Sequence, residues 1–592
     1  MIPVIQFDPS SMSIWYDAHL LNRMKGSREI GEAMNLAFSD DPALLDYVPL
    51  IKDDWVKMRA STMAAAVWHE KRHFLDFALT NYGAFRIRQF FLLYMSIPQI
   101  LGDARDSGEL LLPLQSYLEK NFCKALGIKP PSEAIVAAAK NISQRKHILA
   151  RDRRRHDSRL GNYEIGGEAI MEALAHHFEV IKSQILLGPE MLDLIRQDVP
   201  DMGLMADRYQ WLYTLLLGSG LIETDTAIDG RLALRATPLV PICYAALACR
   251  LWGQGQTTSE VSSSYLPGDR LASLIIALRP YKQDIVKSGI VRCWEIVNEV
   301  CEEIFGRSAI DEMRADISQE GDFINKVADT GGEGLALAAY RDYHNLRERL
   351  FTELCERPEN ILADLEYTGA FGPKIQPFIV VAASAGEMGT PPTDYERLIG
   401  YIEPNKDDAD DGNRWWWAAA PKDWPQSNNP DVFCYRERRA WLGIIGDAGP
   451  IAKLMMDGRN IRTMLGPEIV SAEMKIRAQH GINVKVDSRF AFPKNPIDTA
   501  NWYYLTGAQS LRCDLTFATI KKPAGLVVDP WMFRLWPTLV EVLVGKLADR
   551  ESMFRTFQRD WSPWILSEDF RELFQDTIQD PSLFVGMSWS DR

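Results

Sequence analysis

The chain has 592 residues and a formal net charge of −14, from 66 Lys and Arg against 80 Asp and Glu. Apolar residues make up 46% and charged residues 25%, which excludes collagen-like, low-complexity and wholly disordered proteins. At roughly 100–200 residues per domain, this length predicts about three or four domains, each large enough to bury a core. The acidic balance argues against sequence-independent nucleic-acid binding, which requires a cationic face.

The sequence lacks the patterns of secreted and membrane proteins. Residues 1–21 contain no basic leader followed by an unbroken apolar stretch, the pattern of a secretory signal peptide. The most apolar later segments, at 239–247 and 379–383, are shorter than the roughly 20 residues that span a bilayer. Eight cysteines are scattered, without a CxxC pair or a dense disulfide spacing. We therefore predict a cytoplasmic protein that does not associate with membranes.

Apolar residues at three- and four-residue spacing predict a mainly helical protein. Within the first 200 residues, the predicted helices are 54–79, 84–95, 131–148 and 167–187. The last of these is expected to end at Gly188-Pro189, because proline cannot continue a helix. In a helical middle region, residues 201–400, the predicted helices are 202–216, 269–278, 284–304 and 335–354. Since no repeat of fixed period is present, a solenoid is not predicted.

The composition changes after residue 400. An acidic segment and a Pro/Asn-rich segment flank Trp415-Trp416-Trp417, which predicts a linker or a long inserted loop over residues 401–430. Further on, residues 482–492 and 511–519 alternate apolar and polar side chains, as strands do. A Trp-rich stretch with a helical pattern follows them. Residues 431–592 are therefore predicted to form a mixed α/β, Trp-rich domain.

One motif with metal-ligand spacing, His69-Glu70-Lys71-Arg72-His73, lies within the predicted helix 54–79. Residues four apart share a helix face, so both imidazoles can reach one metal ion. Glu70 lies beside that face and can take a proton from a metal-bound water. Asp76, three residues after the second histidine, is expected to accept a hydrogen bond from an imidazole.

The two residues inside the motif support a different interpretation. Lys71 and Arg72 suit an amphipathic helix with a charged turn on the protein surface. Active-site helices of this kind are buried and usually carry uncharged residues at these two positions. The sequence leaves both interpretations open.

A metal held by two histidines needs a third protein ligand and an open position for water. We expect Glu172, within Gly166-Gly-Glu-Ala-Ile-Met-Glu-Ala-Leu-Ala-His-His-Phe-Glu179, to supply it. Glu168, His176 and Glu179 share a stripe of the predicted helix with Glu172 and are the alternative ligands. The same stripe is also compatible with a solvated helix face.

The HExxH motif and the later Glu-Ala-x-Ala segment together resemble the gluzincin class of zinc metallopeptidases. About a hundred residues separate the two segments, and the resemblance covers nothing else. It implies that His69, His73 and Glu172 bind zinc, that Glu70 is the general base, and that the substrate is a protein or peptide. Zinc lowers the pKa of a bound water towards about 7, so that Glu70 can accept its proton as the hydroxide attacks a carbonyl.

Two other functions fit the same sequence. Glu70-x-x-His73 is also the spacing of carboxylate-bridged dimetal oxidases, but these need a second ExxH, and Glu172-x-x-x-His176 has one residue too many. The other is a non-catalytic helical scaffold or sensor that binds a partner through its Trp-rich C-terminal domain. Of the three functions, we favour the zinc metallopeptidase. We therefore predict a mainly α, multidomain intracellular protein with a helical zincin-like domain at residues 1–200.

Overall fold

The computed structural model describes residues 5–22, 24–125, 127–153, 166–198, 202–226, 232–235, 238–250, 266–330, 334–362, 377–384, 391–392, 394–402, 414–421, 448–456, 476 and 479–486. Of these residues 77% are helical, which confirms the prediction of a mainly α protein, and a small mixed sheet accompanies the helices. Most of the predicted Trp-rich domain, residues 431–592, lies outside the described residues.

The helices are α1 (Ala18–Asn22), α2 (Ser27–Phe38), α3 (Ala43–Tyr47), α4 (Asp54–Leu79), α5 (Asn81–Ser107), α6 (Lys120–Ala125), α7 (Glu133–Arg153), α8 (Gly167–Asp198), α9 (Met202–Ser219), α10 (Leu239–Leu247), α11 (Pro267–Leu278), α12 (Lys282–Lys287), α13 (Ile290–Phe305), α14 (Ala309–Asp329), α15 (Leu335–Glu356), α16 (Pro358–Leu362) and α17 (Gly449–Met456). The strands are β1 (Ile5–Asp8), β2 (Ser13–Asp17), β3 (Glu109–Leu112), β4 (Glu223–Thr226), β5 (Leu232–Arg235), β6 (Phe378–Ser384), β7 (Tyr395–Ile402), β8 (Arg414–Pro421) and β9 (Asn483–Val486). None of the described helices combines the length and the apolar composition that a bilayer span requires.

Helix α4, which carries the HExxH motif, has the predicted bounds. Asp53 caps its N-terminus, because the Asp53 carboxylate accepts a hydrogen bond of 3.1 Å from the backbone N–H of Val56. At the other end, Thr80 has an extended backbone conformation, which ends the helix. The helix packs against α2 and α8, so it is buried over most of its length.

Several predicted helix limits differ from the structure. The helix predicted over 84–95 is part of the longer α5, and the one predicted over 131–148 ends later, at Arg153. Helix α8 continues through Gly188-Pro189 to Asp198, so the predicted end at that dipeptide is wrong. Proline removes one backbone donor, but its φ near −65° is helical, and Pro98 lies inside α5 in the same way. The predicted helix 284–304 is divided into α12 and α13, which are separated by Ser288-Gly289.

The main sheet has the strand order β1-β2-β6-β8-β7, with β1 at one edge. The β2–β6 pair is parallel, whereas the other pairs are antiparallel. Strand β8 falls within residues 401–430, so this part of the predicted linker or loop is a strand between two neighbours. Its aromatic residues favour an extended backbone. Residues 403–413 and 422–430 lie outside the described part of the chain.

The chain divides into two compact units that are discontinuous in sequence, whereas the predicted domains are consecutive segments. One unit comprises residues 3–95 and 143–444 and contains the main sheet, α4 and α8. The other comprises residues 1–2, 96–142 and 445–592, and its described part contains the parallel β3–β9 pair. All residues of the candidate site belong to the first unit.

Candidate metal centre

The two histidines of the HExxH motif lie on the side of α4 that packs against α8. Their four-residue spacing brings the rings into contact, with centroids 4.8 Å apart and planes at 80°. The side chains of His69 and His73 are 12% and 8% exposed. Both imidazoles are therefore nearly enclosed and close enough to bind one ion.

Glu172 of α8 faces both imidazoles. Its Oε2 lies 3.8 Å from Nε2 of His69 and 3.7 Å from Nε2 of His73. These distances are too long for hydrogen bonds, but they approach the separation of about 3.4 Å between ligand atoms of a tetrahedral zinc site with bonds of about 2.1 Å. One ligand atom from each of the three residues lies within 4.8 Å of the others. The structure thus brings the three predicted ligands together.

The chemistry of these groups fits a zinc ion. Two imidazole nitrogens and one carboxylate oxygen form a ligand set found in catalytic zinc sites, which keep a fourth position open for water. Nδ1 of His73 is buried without a hydrogen-bond partner, and its Nε2 is 3.7 Å from the nearest carboxylate oxygen of Glu172. The distance of 3.7 Å exceeds that of a hydrogen bond, so Nε2, which converges with Nε2 of His69 on Glu172, is the ring nitrogen placed to bind a metal.

Glu179, predicted as an alternative ligand, orients His69. Its Oε2 lies 3.1 Å from Nδ1 of His69 and 3.1 Å from Nδ1 of His176. A carboxylate that accepts the Nδ1–H of a histidine leaves the lone pair of Nε2 for a metal. Glu179 follows Glu172 by seven residues, or two helical turns, and this spacing is the sequence signal that relates the two carboxylates.

Asp76 has different partners from those predicted. Its Oδ1 forms an ion pair of 2.9 Å with Nε of Arg72 and accepts a hydrogen bond of 2.6 Å from the hydroxyl of Tyr244. Its Oδ2 has no hydrogen-bond partner. The prediction that Asp76 accepts a hydrogen bond from an imidazole is therefore wrong. The carboxylate of Asp76 instead pairs with the buried guanidinium of Arg72, one helical turn earlier.

Both charged residues inside the motif are buried. Lys71 is 0% exposed, and its Nζ lies 2.5 Å from Oδ2 of Asp40 and donates to the carbonyl of Phe38 at 3.1 Å. Arg72 is 1% exposed, with its guanidinium 4.1 Å from the centre of the Phe178 ring. The interpretation of α4 as an amphipathic helix with a charged surface turn is therefore wrong. Both cations have partners on neighbouring elements, as buried charges require.

The remaining alternative ligands lie outside the three-residue cluster. Glu168 is one turn before Glu172, and its Oε2 is 3.8 Å from Nη1 of Arg86. His176 is hydrogen-bonded to Glu179. The polar stripe of α8 thus supplies one candidate ligand, one carboxylate that orients a ligand, and two residues engaged elsewhere.

Carboxylates determine the electrostatics of the centre. Burial opposes the protonation of His69, but Glu172 and Glu179 outweigh it and raise its pKa well above the usual value. Burial also raises the pKa of Glu70, against the nearby imidazoles, which lower it. Burial alone would raise the pKa of Glu172, yet His73 and His69 hold it well below its usual value. The concentration of acidic groups favours a cation at this position.

Phe7 in strand β1 contacts the site, although no pattern in the sequence predicts it. Its backbone N–H donates a hydrogen bond of 2.6 Å to Oε2 of Glu70. Its ring stacks on His73, with centroids 6.4 Å apart and planes at 27°. Almost every residue has a backbone N–H, so no sequence signal could have indicated this donor.

Comparisons with known proteins give no further assignment. The chain matches no protein-family model, and searches of curated proteins and of solved structures found no significant similarity. The interpretation of the site therefore depends on the geometry of its residues and on the two short segments that resemble gluzincins.

Proposed function

We propose that this chain is a zinc-dependent metallopeptidase that holds its metal with His69, His73 and Glu172 and uses Glu70 as general base. The observation that carries the proposal is the convergence of both imidazole Nε2 atoms on Oε2 of Glu172, at 3.8 and 3.7 Å. Glu70 lies between the two histidines in sequence and interacts electrostatically with all three proposed ligands.

The reaction follows from the placement of Glu70. When bound, zinc would polarise a substrate carbonyl and acidify a water molecule. Glu70, whose Oε2 accepts a hydrogen bond from the N–H of Phe7, takes the proton from the water as the water oxygen bonds to the carbonyl carbon. As the C–N bond breaks, Glu70 passes that proton to the nitrogen of the leaving amine.

Substrate class and location extend the proposal beyond the geometry. A His-His-Glu ligand set supports metal-assisted hydrolysis in general, and the gluzincin resemblance directs it to a protein or peptide substrate. The cysteines in the described part of the chain are free thiols, which suits a cytoplasmic protein. A partner that binds the Trp-rich residues 431–592 stays a prediction.

The test combines metal analysis with hydrolysis. Elemental mass spectrometry of the purified, untagged protein should find about one zinc per chain, and the protein should cleave casein or a pool of quenched fluorescent peptides. The double variant His69→Ala/His73→Ala should lose the zinc. Glu70→Gln should keep zinc but lose at least about a hundredfold in hydrolysis, because it lacks the base. Glu168→Gln, outside the three-residue cluster, is the matched control and should keep zinc.

Each other outcome identifies an alternative. Two irons or manganeses per chain would support a carboxylate-bridged dimetal oxidase. No metal, even after zinc is added, would overturn the proposal in favour of the non-catalytic scaffold. If the protein contains zinc but cleaves no peptide in the pool, the metal site stands and the peptidase assignment is overturned.

A further inference from the structure

We propose that the backbone N–H of Phe7 positions the carboxylate of Glu70 for proton transfer, so that edge strand β1 is a working part of the metal centre. This inference rests on the proposed function, because that proposal assigns Glu70 as the general base. Phe7 is a positioning residue, which acts on the reaction through Glu70.

The donor is available because of where Phe7 lies in the sheet. Among the residues that the structure describes, strand β1 pairs with β2 alone, and Phe7 is opposite Ile14 in that pair. In an antiparallel ladder, alternate residues direct their N–H groups away from the partner strand. The N–H of Phe7 points outward and meets Oε2 of Glu70 at 2.6 Å, across 63 residues of sequence.

This hydrogen bond restricts a side chain that is otherwise flexible. A glutamate on a helix has three side-chain torsions, and several rotamers keep its carboxylate near the same helix face. A hydrogen bond at Oε2 selects one of them and so fixes the orientation of the whole carboxylate relative to α4, the helix that also carries His69 and His73. Holding a base in its reactive geometry is a recognised source of rate enhancement.

The position of the donor is itself set by packing. Phe7 is 4% exposed, and its ring centroid lies 6.4 Å from that of His73, 6.3 Å from that of Phe74 and 5.3 Å from that of Phe77. These three residues belong to α4, the helix that carries Glu70. Strand and helix therefore hold the donor and the acceptor in one arrangement.

A purely structural contact would satisfy a buried N–H without affecting the reaction. Such a contact would change stability but leave kcat of the folded, zinc-loaded protein unchanged. A positioning contact lowers kcat and leaves KM and zinc binding as they are, because neither depends on the orientation of Glu70.

Phe7→Pro removes the donor together with the ring, so its effect is measured against a variant that loses only the ring. The N–H of Phe7 is not part of the ladder, and an edge strand tolerates proline at such a position. Phe7→Leu loses the ring but keeps the N–H. Ile5→Pro places the same restriction two residues earlier, where the N–H also points outward, and keeps the contact between residue 7 and Glu70.

All three variants should contain about one zinc per chain. The visible spectrum of the cobalt-substituted protein should be the same in Phe7→Pro as in the wild type, which shows an undisturbed ligand set. With a quenched peptide cleaved by the wild type, kcat of Phe7→Pro should be about ten- to a hundredfold below that of Phe7→Leu, with KM within about twofold. Ile5→Pro should remain within about threefold of the wild type.

Hydrogen exchange provides a readout that does not depend on activity. With residue-resolved mass spectrometry, the Phe7 amide should exchange at least about tenfold faster in Glu70→Ala than in the wild type. The amide of Gln6, which faces β2, should be unaffected. Equal exchange at Phe7 in both proteins would overturn the contact even if Phe7→Pro did not fold.

The outcomes separate the two proposals. An active wild type whose Phe7→Pro variant matches Phe7→Leu in kcat, or loses its zinc, overturns this inference alone. An equal loss of kcat in Ile5→Pro also overturns it, because the effect would then come from the strand as a whole. A wild type with neither zinc nor hydrolysis overturns the proposed function and this inference with it.

Discussion

Two buried groups of charged side chains in the same unit differ in how they are paired. Arg88 and Arg347 contact Asp316 and Glu320 at N–O distances between 2.7 and 3.3 Å, within a network that joins α5, α14 and α15. In the candidate metal centre, the carboxylate of Glu172 stops at 3.7 and 3.8 Å from two imidazoles. The carboxylates of the first group are within hydrogen-bond distance of their cations, whereas in the second group Glu172 lies beyond that distance from both imidazoles.

The balance of charge explains this difference. The network sets two arginines against two carboxylates, and Arg347 also donates at 2.7 Å to the side chain of Asn81. The metal centre collects the carboxylates of Glu70, Glu172 and Glu179 around two imidazoles, which are neutral when they bind a metal. Burial makes unbalanced charge costly, so the network stabilises the fold, and in the candidate metal centre a cation, either protonated His69 or a bound metal, would balance these carboxylates.

Breaking the network should have the largest effect. Arg347→Met leaves Asp316 and Glu320 buried with one cation fewer, so we expect a loss of about 3–5 kcal/mol in the free energy of unfolding. Urea unfolding of the purified protein measures it. Arg292→Met, which removes an exposed arginine paired with Glu295 and Glu299, is the matched control and should leave the free energy of unfolding nearly unchanged. Similar losses in the two variants would contradict the comparison.

The second largest expected effect is a loss of stability at low pH, when Glu320 in the network becomes protonated. Burial alone would raise the pKa of Glu320, but Arg347, His344 and Arg88 outweigh it and lower the pKa to about 2. A pKa lowered in the folded state contributes stability that is complete above the unfolded pKa of about 4.5 and is lost as the pH falls towards about 2. The lowered pKa of Glu320 thus contributes about 3 kcal/mol to the free energy of unfolding at neutral pH. The stability difference between wild type and Glu320→Gln should therefore shrink from pH 6 to pH 3, and a constant difference would contradict this.

Zinc should stabilise the protein through the candidate metal centre and not through the arginine–carboxylate network. Zinc at a free concentration of about 100 times Kd should raise the free energy of unfolding by about 2.7 kcal/mol. Urea unfolding with and without zinc measures the gain, which should persist in Arg292→Met. His69→Ala/His73→Ala should show no gain. A gain in that double variant would place the ion elsewhere.

The smallest expected effect comes from the carboxylate that orients His69. Glu179→Gln keeps the size of the side chain but removes its charge, so zinc affinity should fall about ten- to a hundredfold. Competition with a chelator of known affinity measures the change. Glu168→Gln lies on the same stripe of α8 and should alter the affinity less than twofold. An unchanged affinity in Glu179→Gln would leave His69 oriented by other groups.

The helix that carries the motif shows what sequence patterns predict well. The limits of α4 follow from the Asp53 cap, an uninterrupted helical stretch and the apolar spacing, all of which act within a few residues. The proximity of His69 and His73 follows from the four-residue period for the same reason. The resemblance to gluzincins predicts Glu172 as the third ligand, and the structure places its carboxylate 3.8 and 3.7 Å from the two histidines.

The partners of charged residues were harder to predict. Lys71 and Arg72 suggest a surface turn, because the sequence does not show that Lys71 forms an ion pair with Asp40 or that Arg72 packs on the ring of Phe178. The spacing predicts a hydrogen bond from an imidazole to Asp76, yet Arg72 lies one turn away on the same helix and forms an ion pair with this carboxylate. Burial of a charge depends on compensation from other elements, which has no local signature.

The sequence by itself determined the helix around the motif and the common face of its two histidines, because the period of a helix is a local property. Only the tertiary structure decided that Glu179 orients His69, across 110 residues, and that Phe7 holds Glu70, across 63. These contacts arise where α8 and β1 pack against α4. The reason is that apolar burial selects how distant segments pack, and the positions of their polar atoms follow from that packing.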